Sequence, residues 1–156
     1  MIEFREANIS DMNTYFKWIN DPLVRSLSFN SKKVAMKVHE EWYINKINDE
    51  NCLMLLFMNS NNPIGQIRIE KETLNQAIIS ISISSENRGK GYAIDMLKKA
   101  SKYFHSKNPE FIINAFIKNN NLNSIKSFEK ALFKFQKKIN YKGHNSLNYI
   151  LENENR

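Results

Sequence analysis

The sequence predicts a single mixed α/β domain with a largely antiparallel sheet, and three observations carry that reading. Apolar segments of strand length alternate with amphipathic segments of helix length. Three consecutive strand segments, between Cys52 and Ser84, are separated only by turns, so they fold as hairpins. A strand, a glycine-containing loop and a helix then follow in one unit around Glu86–Tyr92. The predicted order is β-α-α-β-β-β-α-β-α-β-β, one domain over 1–151 with a frayed tail over 152–156.

The elements follow in chain order. Ile2 and Phe4 alternate with Glu3 and Arg5, as in a half-buried strand. Ser10 or Asp11 caps a helix with Met12, Tyr15, Phe16 and Ile19 on one face. Asp21-Pro22 ends it, because the residue before proline is pushed out of the helical region. Leu23–Asn30 fits neither period. Val34–Ile47 reads as a second helix with Val38, Trp42 and Ile47 among its apolar positions. Cys52–Met58 is a buried strand, Asn59–Pro63 a turn, and Ile64, Ile67 and Ile69 mark the next strand. Leu74-Asn75-Gln76 turns into Ala77–Ser84, where Ile79, Ile81 and Ile83 alternate with polar positions. Ala93, Leu97, Ala100 and Phe104 share one helical face. Phe111–Ile117 is a strand, and Leu122–Phe133 a short helix presenting Ile125, Phe128 and Leu132. Phe135–Ile139 and Leu147–Leu151 complete the sheet.

Composition excludes several classes. With 156 residues and 42% apolar content, the chain has length and apolar mass for one real core. The longest apolar run, Cys52–Met58, is too short to span a bilayer, and no apolar signal segment follows the N-terminus, so the expected compartment is the cytoplasm. The single cysteine, Cys52, excludes an internal disulfide framework and a multi-cysteine metal site, and reads as a packed small hydrophobe. The net charge of +7 favours anionic partners. Lysine supplies 18 of the 23 basic residues and is frequent together with Asn and Ile, a bias that fits an AT-rich genome. Nucleic-acid binding would need a basic stripe with interleaved aromatics. Lys134–Lys138 with Tyr141 and Lys142 is the one candidate stretch, and a solvated strand face explains it equally.

The chemistry is carried by Ile81-Ser82-Ile83-Ser84-Ser85-Glu86-Asn87-Arg88-Gly89-Lys90-Gly91-Tyr92-Ala93. A helix that starts here leaves its first N–H groups unpartnered and turns its positive dipole end toward the loop. Two glycines let the backbone take φ > 0 and approach a ligand closely. Together these predict a phosphate or pyrophosphate site at Arg88–Ala93. It is not a Walker A loop, which needs Gly-Lys-Ser/Thr. Nor is it the dinucleotide fingerprint, because Ile94 stands where the third small residue belongs.

Arg88-x-x-Gly91-x-Ala93 resembles the acyl-CoA signature Arg/Gln-x-x-Gly-x-Gly/Ala of the GCN5-related N-acetyltransferases (GNAT). Asn121-x-x-Ser124-Ile125, followed by Phe128-Glu129-Lys130 and Phe133, resembles the same family's later segment. The resemblance implies a GNAT fold in which Ala77–Ser84 and Phe111–Ile117 splay apart to pair with the pantetheine arm of acetyl-CoA. It implies that Ile81, Ser82 and Ile83 line the thioester, that Arg88, Gly89, Lys90, Gly91, Tyr92 and Ala93 hold the pyrophosphate, and that Asn121, Ser124 and Phe128 border the pantetheine. It implies direct attack by a neutral amine, with no covalent enzyme intermediate and no metal. A homodimer would be in keeping with the family.

The chain departs from the family in three places. Phe128 stands where many relatives carry a tyrosine that protonates the leaving thiolate, Ile78 where many carry a carboxylate, and Leu132-Phe133 where the family has Gly-Phe. Catalytic candidates therefore come from elsewhere. Glu70 lies at the end of the preceding strand, and His39 on the second helix, which borders the acceptor cleft in this fold. Tyr141 and Tyr149 lie in the tail strands. The stretches Trp18–Arg25, Ser28–Asn30 and His39–Tyr43 resemble the GNAT subset that acetylates nucleotide-linked amino sugars, including the pseudaminic-acid type. That resemblance implies a small-molecule amine acceptor, with Arg25, Lys32 and Lys33 meeting its phosphates and Phe29 or Trp42 stacking on a ring. A protein N-terminal amine, as in the ribosomal-protein branch, and a non-catalytic acyl-CoA sensor are the alternatives.

Overall fold

The computed structural model describes residues 1–154. Seven strands form one sheet in the order β1-β2-β3-β4-β5-β7-β6. They are β1 (Ile2–Glu6), β2 (Cys52–Asn59), β3 (Asn62–Lys71), β4 (Gln76–Ile83), β5 (Ile112–Lys118), β6 (Lys134–Tyr141) and β7 (His144–Leu151). Five helices accompany them: α1 (Met12–Ile19), α2 (Pro22–Leu27), α3 (Met36–Ile47), α4 (Tyr92–Lys107) and α5 (Leu122–Lys130). All pairings are antiparallel except β4 with β5, which is parallel. The expected fold class therefore holds, and the element order holds except for one added helix, α2, between α1 and α3.

The sheet's two faces carry two cores. On one side Leu55, Phe57, Ile67, Ile69, Ala77 and Ile113 pack with Met96, Leu97, Ala100 and Phe104 of α4. On the other, Met54 and Leu56 of β2 pack with Tyr15 and Trp18 of α1 and Tyr43 of α3. Strand alternation makes this division, since neighbouring side chains point to opposite faces.

The β2–β3 turn is tighter than expected. Only Ser60 and Asn61 bridge the strands, both at positive φ, and Pro63 lies within β3. Such a two-residue turn matches the strands' right-handed twist.

The N-terminal helices also differ from the expected reading. Asp21-Pro22 does end α1, but Asp21 then caps a new helix, with its carboxylate accepting from the amides of Leu23 and Val24 and proline at the first position. That resolves Leu23–Asn30 into α2 and a following loop. Helix α3 starts at Met36, and its inward face is His39 and Tyr43, while Val38 is exposed. Two aromatic rings with polar tips were harder to read as core than a valine, yet Tyr43 is fully buried because its hydroxyl donates to the Asn8 carbonyl at 2.6 Å.

Helix α5 stops at Lys130 rather than Phe133, and Leu132 is exposed at φ 74°. The Leu132 amide donates to Glu129 and the Phe133 amide to Phe128, the two bonds of a Schellman cap. Phe128 and Phe133 complete the cap edge to face, 5.0 Å apart. The backbone therefore takes the left-handed turn of the family's glycine with a leucine. Beyond β7, residues 152–154 leave the sheet, and the rest of the expected tail lies outside the described residues. Among the described residues no helix is long and apolar enough to cross a membrane.

Candidate active site

Strands β4 and β5 pair only at Gln76–Ile78 with Ile112–Asn114 and then part. Beyond that point β4 keeps its β3 partner through Ile83, and β5 keeps β7 through Lys118. The facing edges of both strands, Ile79–Ile83 on β4 included, are thus left without a strand partner. An extended, amide-bearing chain can complete such an opening by strand addition.

At the wide end of the opening lies the glycine loop. Gly89 and Gly91 sit at φ 76° and 79°, and Gly91 is the left-handed residue that starts α4. A Cβ built on either glycine meets nothing within 4 Å, so the space above the first amides of α4 is open. Positive φ, the amides of a helix start and free space are the features of an anion cradle. Tyr92 turns away from it and accepts a hydrogen bond from Asn59 Nδ2 at 3.0 Å. Lys90 is exposed at the cradle's edge. Arg88, expected to assist there, instead binds Asp21 through Nη2 at 2.7 Å. The α2 cap and the loop are thus tied to each other.

A cavity of about 490 Å³ opens on the α1–α3 side of the splay. Its floor is Gln66, Arg68 and Glu70 of β3 with Ile78–Ser82 of β4. Its outer wall is Trp18, Arg25, Phe29, His39 and Trp42, and Asn121, Ser124 and Phe128 close the far side. The structure therefore brings Glu70, His39, Arg25, Phe29 and Trp42 to one cleft with five of the residues expected on the donor side, Ile81, Ser82, Asn121, Ser124 and Phe128. Ile83 packs against the sheet core at the edge of the opening. Asn121 caps α5 by accepting from the Ser124 amide at 3.4 Å, and Phe128 is 3% exposed.

Several side chains are not free for the work expected of them. Arg25 donates to the carbonyls of Ile19, Asn30 and Lys32 and to Ser28 Oγ, so its fork clasps the α2 loop rather than facing an anion. Lys32 and Lys33 are exposed and do not line the cleft. His39 is buried within the wall, in ring contact with Phe16, Trp42 and Tyr43. Its Nε2 lies 3.1 Å from the Met12 carbonyl, which can only accept, so Nε2 carries the proton. Nδ1 is left as a lone pair sealed from solvent. Burial depresses its pKa, keeping the ring neutral. His39 is thus a wall residue in this arrangement, not an exposed base.

Glu70 is half-buried on the floor and accepts from Lys46 Nζ at 2.8 Å and from Arg68 Nε. Burial raises its carboxyl, but the Lys46 hydrogen bond and the Arg68 charge outweigh it and hold the group below its usual range. Arg68 also lies 5.0 Å from the centre of the Trp42 ring, which helps hold that ring against the cleft. Burial first, with the Glu70 charge adding to it, pushes the Cys52 thiol up to about 11, so it is inert as expected. Tyr149 donates to Glu129 Oε2 at 2.8 Å and does not line the cleft, whereas Tyr141 does.

Sequence reasoning missed Gln66, Arg68, Tyr15, Lys118 and Lys142, all in the lining. Gln66 Nε2 donates to Ser82 Oγ at 2.9 Å, while its Oε1 is buried without a partner. The Tyr15 hydroxyl is likewise buried and unpartnered. Polar residues at alternate positions of β3, opposite the Ile67 and Ile69 core face, were the available signal.

The chain matches the family model of the GNAT acetyltransferase domain over residues 2–134, so it belongs to the GNAT acetyltransferase family. It is an N-acetyltransferase domain whose acyl donor is acetyl-CoA, and the splay and cradle fit that donor. No curated protein sequence matches the chain. Solved structures share the fold closely at low identity. The aminoglycoside acetyltransferase AAC(6′)-Ib, in complex with coenzyme A and kanamycin, superposes with a TM-score of 0.84 at 16% identity, over 97% of this chain and 95% of that one. Spermidine N-acetyltransferase from Vibrio cholerae, with CoA and spermine, gives 0.85 at 18% identity over 96% and 94%. A domain from Methanocaldococcus jannaschii gives 0.82 at 22% identity over 97% of both chains.

Proposed function

We propose that this domain transfers the acetyl group of acetyl-CoA to the primary amine of a small molecule, and that the acceptor is a nucleotide-linked amino sugar. The observation that carries the reading is the continuity of the β4–β5 opening with a cleft of about 490 Å³. That volume suits a small molecule rather than a folded partner. The lining holds four cations, Arg25, Arg68, Lys118 and Lys142, against two carboxylates, Glu70 and Glu72. Such a balance opposes a polycationic acceptor and admits an anionic one. Spermine and kanamycin, held by the two enzymes of like fold, are rich in amines. This cleft therefore suits a different acceptor.

The chain's own contributions are binding and orientation. The cradle amides at Gly89–Ala93 hold the pyrophosphate, with Lys90 beside them, and Arg88 joins them on leaving Asp21. The free edge of β4 at Ile81–Ile83 pairs with the pantetheine and turns an amide to the thioester oxygen. Asn121, Ser124 and Phe128 border the pantetheine from α5. The attacking nitrogen forms the amide bond, the carbon–sulfur bond breaks, the nitrogen loses a proton and the sulfur gains one. Glu70 is the floor carboxylate toward which that proton leaves through water. Its two cationic partners make it a weak base, so the acceptor must arrive as the neutral amine. Phe29 and Trp42 bound the acceptor ring, and His39 acts by holding Trp42.

One observation favours a second reading. Phe128 and Ile78 line the cleft where a hydroxyl and a carboxylate serve relatives, so the domain would bind acyl-CoA without turnover. Incubation with acetyl-CoA and a UDP-linked 4-amino-4,6-dideoxy sugar, read by mass spectrometry, separates the two. An acetyl mass gain on the sugar is expected. No gain with any amine, while calorimetry still registers acetyl-CoA, would leave the sensor.

A further inference from the structure

We infer that Lys118 and Lys142 form an anion subsite at the rim of the cleft, and that it binds a phosphate or diphosphate ester carried by the amine acceptor. The inference rests on the small-molecule acetyltransferase reading and narrows its substrate class. Three facts converge on this rim. Arg25, the cation best placed by sequence to meet an anion, has its fork filled by three carbonyls and a hydroxyl. Arg68 is matched by Glu70. Lys118 and Lys142 are then the cations of the lining with no hydrogen bond or ion pair among the described residues.

Both ammonium groups are held over aromatic rings that are themselves locked. Lys118 Nζ lies 5.9 Å from the Phe29 ring centre and Lys142 Nζ 5.4 Å from that of Tyr141. Tyr141 stacks on Phe116 at 4.2 Å with planes 3° apart, and Phe29 meets Tyr141 edge-on at 4.9 Å. His144 Nε2 lies 3.0 Å from the Phe29 carbonyl and ties the α2 loop to the β6–β7 turn. Ammonium groups held near fixed rings are partly ordered before a ligand arrives, so less freedom is lost on binding. Glu70 is taken by Lys46 and Arg68, so Glu72, exposed just beyond β3, is the remaining acid of the lining, and it leaves the two ammoniums in excess. Two ammoniums without acid partners suit a multiply charged phosphate oxyanion.

The test is calorimetric titration of UDP into protein saturated with coenzyme A, so that the donor cradle is filled. UDP is expected to bind, with affinity falling steeply from 50 to 300 mM salt. Lys118→Met/Lys142→Met keeps side chains of similar length and removes the charges. It should weaken UDP at least tenfold, leave acetyl-CoA affinity within twofold and leave the melting temperature unchanged. The Arg/Arg double variant should restore binding. Failure of UDP to bind, or equal binding by wild type and the Met variant, would overturn the subsite. A loss of acetyl-CoA affinity in the Met variant would also overturn it, by assigning the lysines to the donor. Because the readout is binding, lysine-dependent UDP affinity without acetyl transfer would sustain the subsite while sinking the enzymatic reading.

Discussion

The donor half and the acceptor half of the cleft are built in opposite ways. The donor half is one continuous stretch: β4, the glycine loop and the start of α4 run from Gln76 through Ala93, joined by α5. Its chemistry is backbone chemistry. The acceptor half is gathered from α1, the α2 loop, α3, β3 and the β6–β7 turn, with contacts such as His144 to Phe29 spanning 115 positions. Its chemistry is carried by side chains, most of which first satisfy one another. A backbone device for the donor can be shared across the family, whereas in the proposed reading the side-chain wall sets the acceptor.

The comparison breaks most sharply at Gly91. Gly91→Val places a branched side chain in the open space above the α4 amides, at a φ that favours glycine. We expect acetyl-CoA affinity to fall more than a hundredfold by calorimetry. The left-handed strain should cost about 1–2 kcal/mol of stability in urea unfolding. An equal loss of affinity in an acceptor-side variant would erase the distinction between the halves.

Glu70→Gln should act on the acceptor side alone. It leaves Lys46 and Arg68 without their shared carboxylate, so the floor loosens beneath Trp42. Acceptor KM should rise about tenfold and kcat fall less than tenfold, because a carboxylate held by two cations gives little of the 10²–10⁴-fold available to a well-tuned general base. Steady-state kinetics decides it. A kcat loss above a hundredfold would make Glu70 a strong base.

Asp21 joins the halves and has a pH signature. Burial raises its carboxyl, but the Arg88 hydrogen bond and charge and the amides of Val24 and Leu23 outweigh it and bring the pKa below its usual value. The folded state therefore binds that proton more weakly than the unfolded chain. Its stabilisation is full above the unfolded pKa, near 4, and is lost as pH falls through the folded value. Asp21→Ala should remove this acid limb and about 1 kcal/mol through the lost cap. Urea midpoints from pH 7 to 2.5 test it.

A smaller effect should begin at higher pH. Burial lowers the pKa of His39 and His105 in the fold. The unfolded chain takes up these protons first, so stability declines as pH falls below about 6.5. His39→Gln/His105→Gln should flatten the urea midpoint between pH 6.5 and 5. An unchanged slope would show that neither ring is dry.

The same contrast explains what could be read in advance. Strands with period two, the Asp21-Pro22 break and the double glycine are local patterns, and each appears where its residues predict. The roles of Arg25, His39 and Arg88 were not legible, because each depends on a partner that sequence spacing does not announce: the α2-loop carbonyls, the Met12 carbonyl and Asp21. Lys118 was hidden among 18 lysines in a chain rich in that residue, and Lys142 was read only as part of a basic strand face. Leu132 misled for the opposite reason. Its spacing fits the buried face of α5, and only the hydrogen bonds of the cap reveal that the helix has already ended.

That leucine also holds a reserve. An L-residue in the left-handed region carries about 1–2 kcal/mol of strain, and glycine would relieve it at about 0.5–1 kcal/mol of added chain entropy. Leu132 is 57% exposed, so its removal forfeits little packing. Leu132→Gly is then a mild stabiliser, remote from the acceptor wall. A lineage that needed to absorb a destabilising change in that wall could find its compensation here, at a single position where the backbone is already shaped for it.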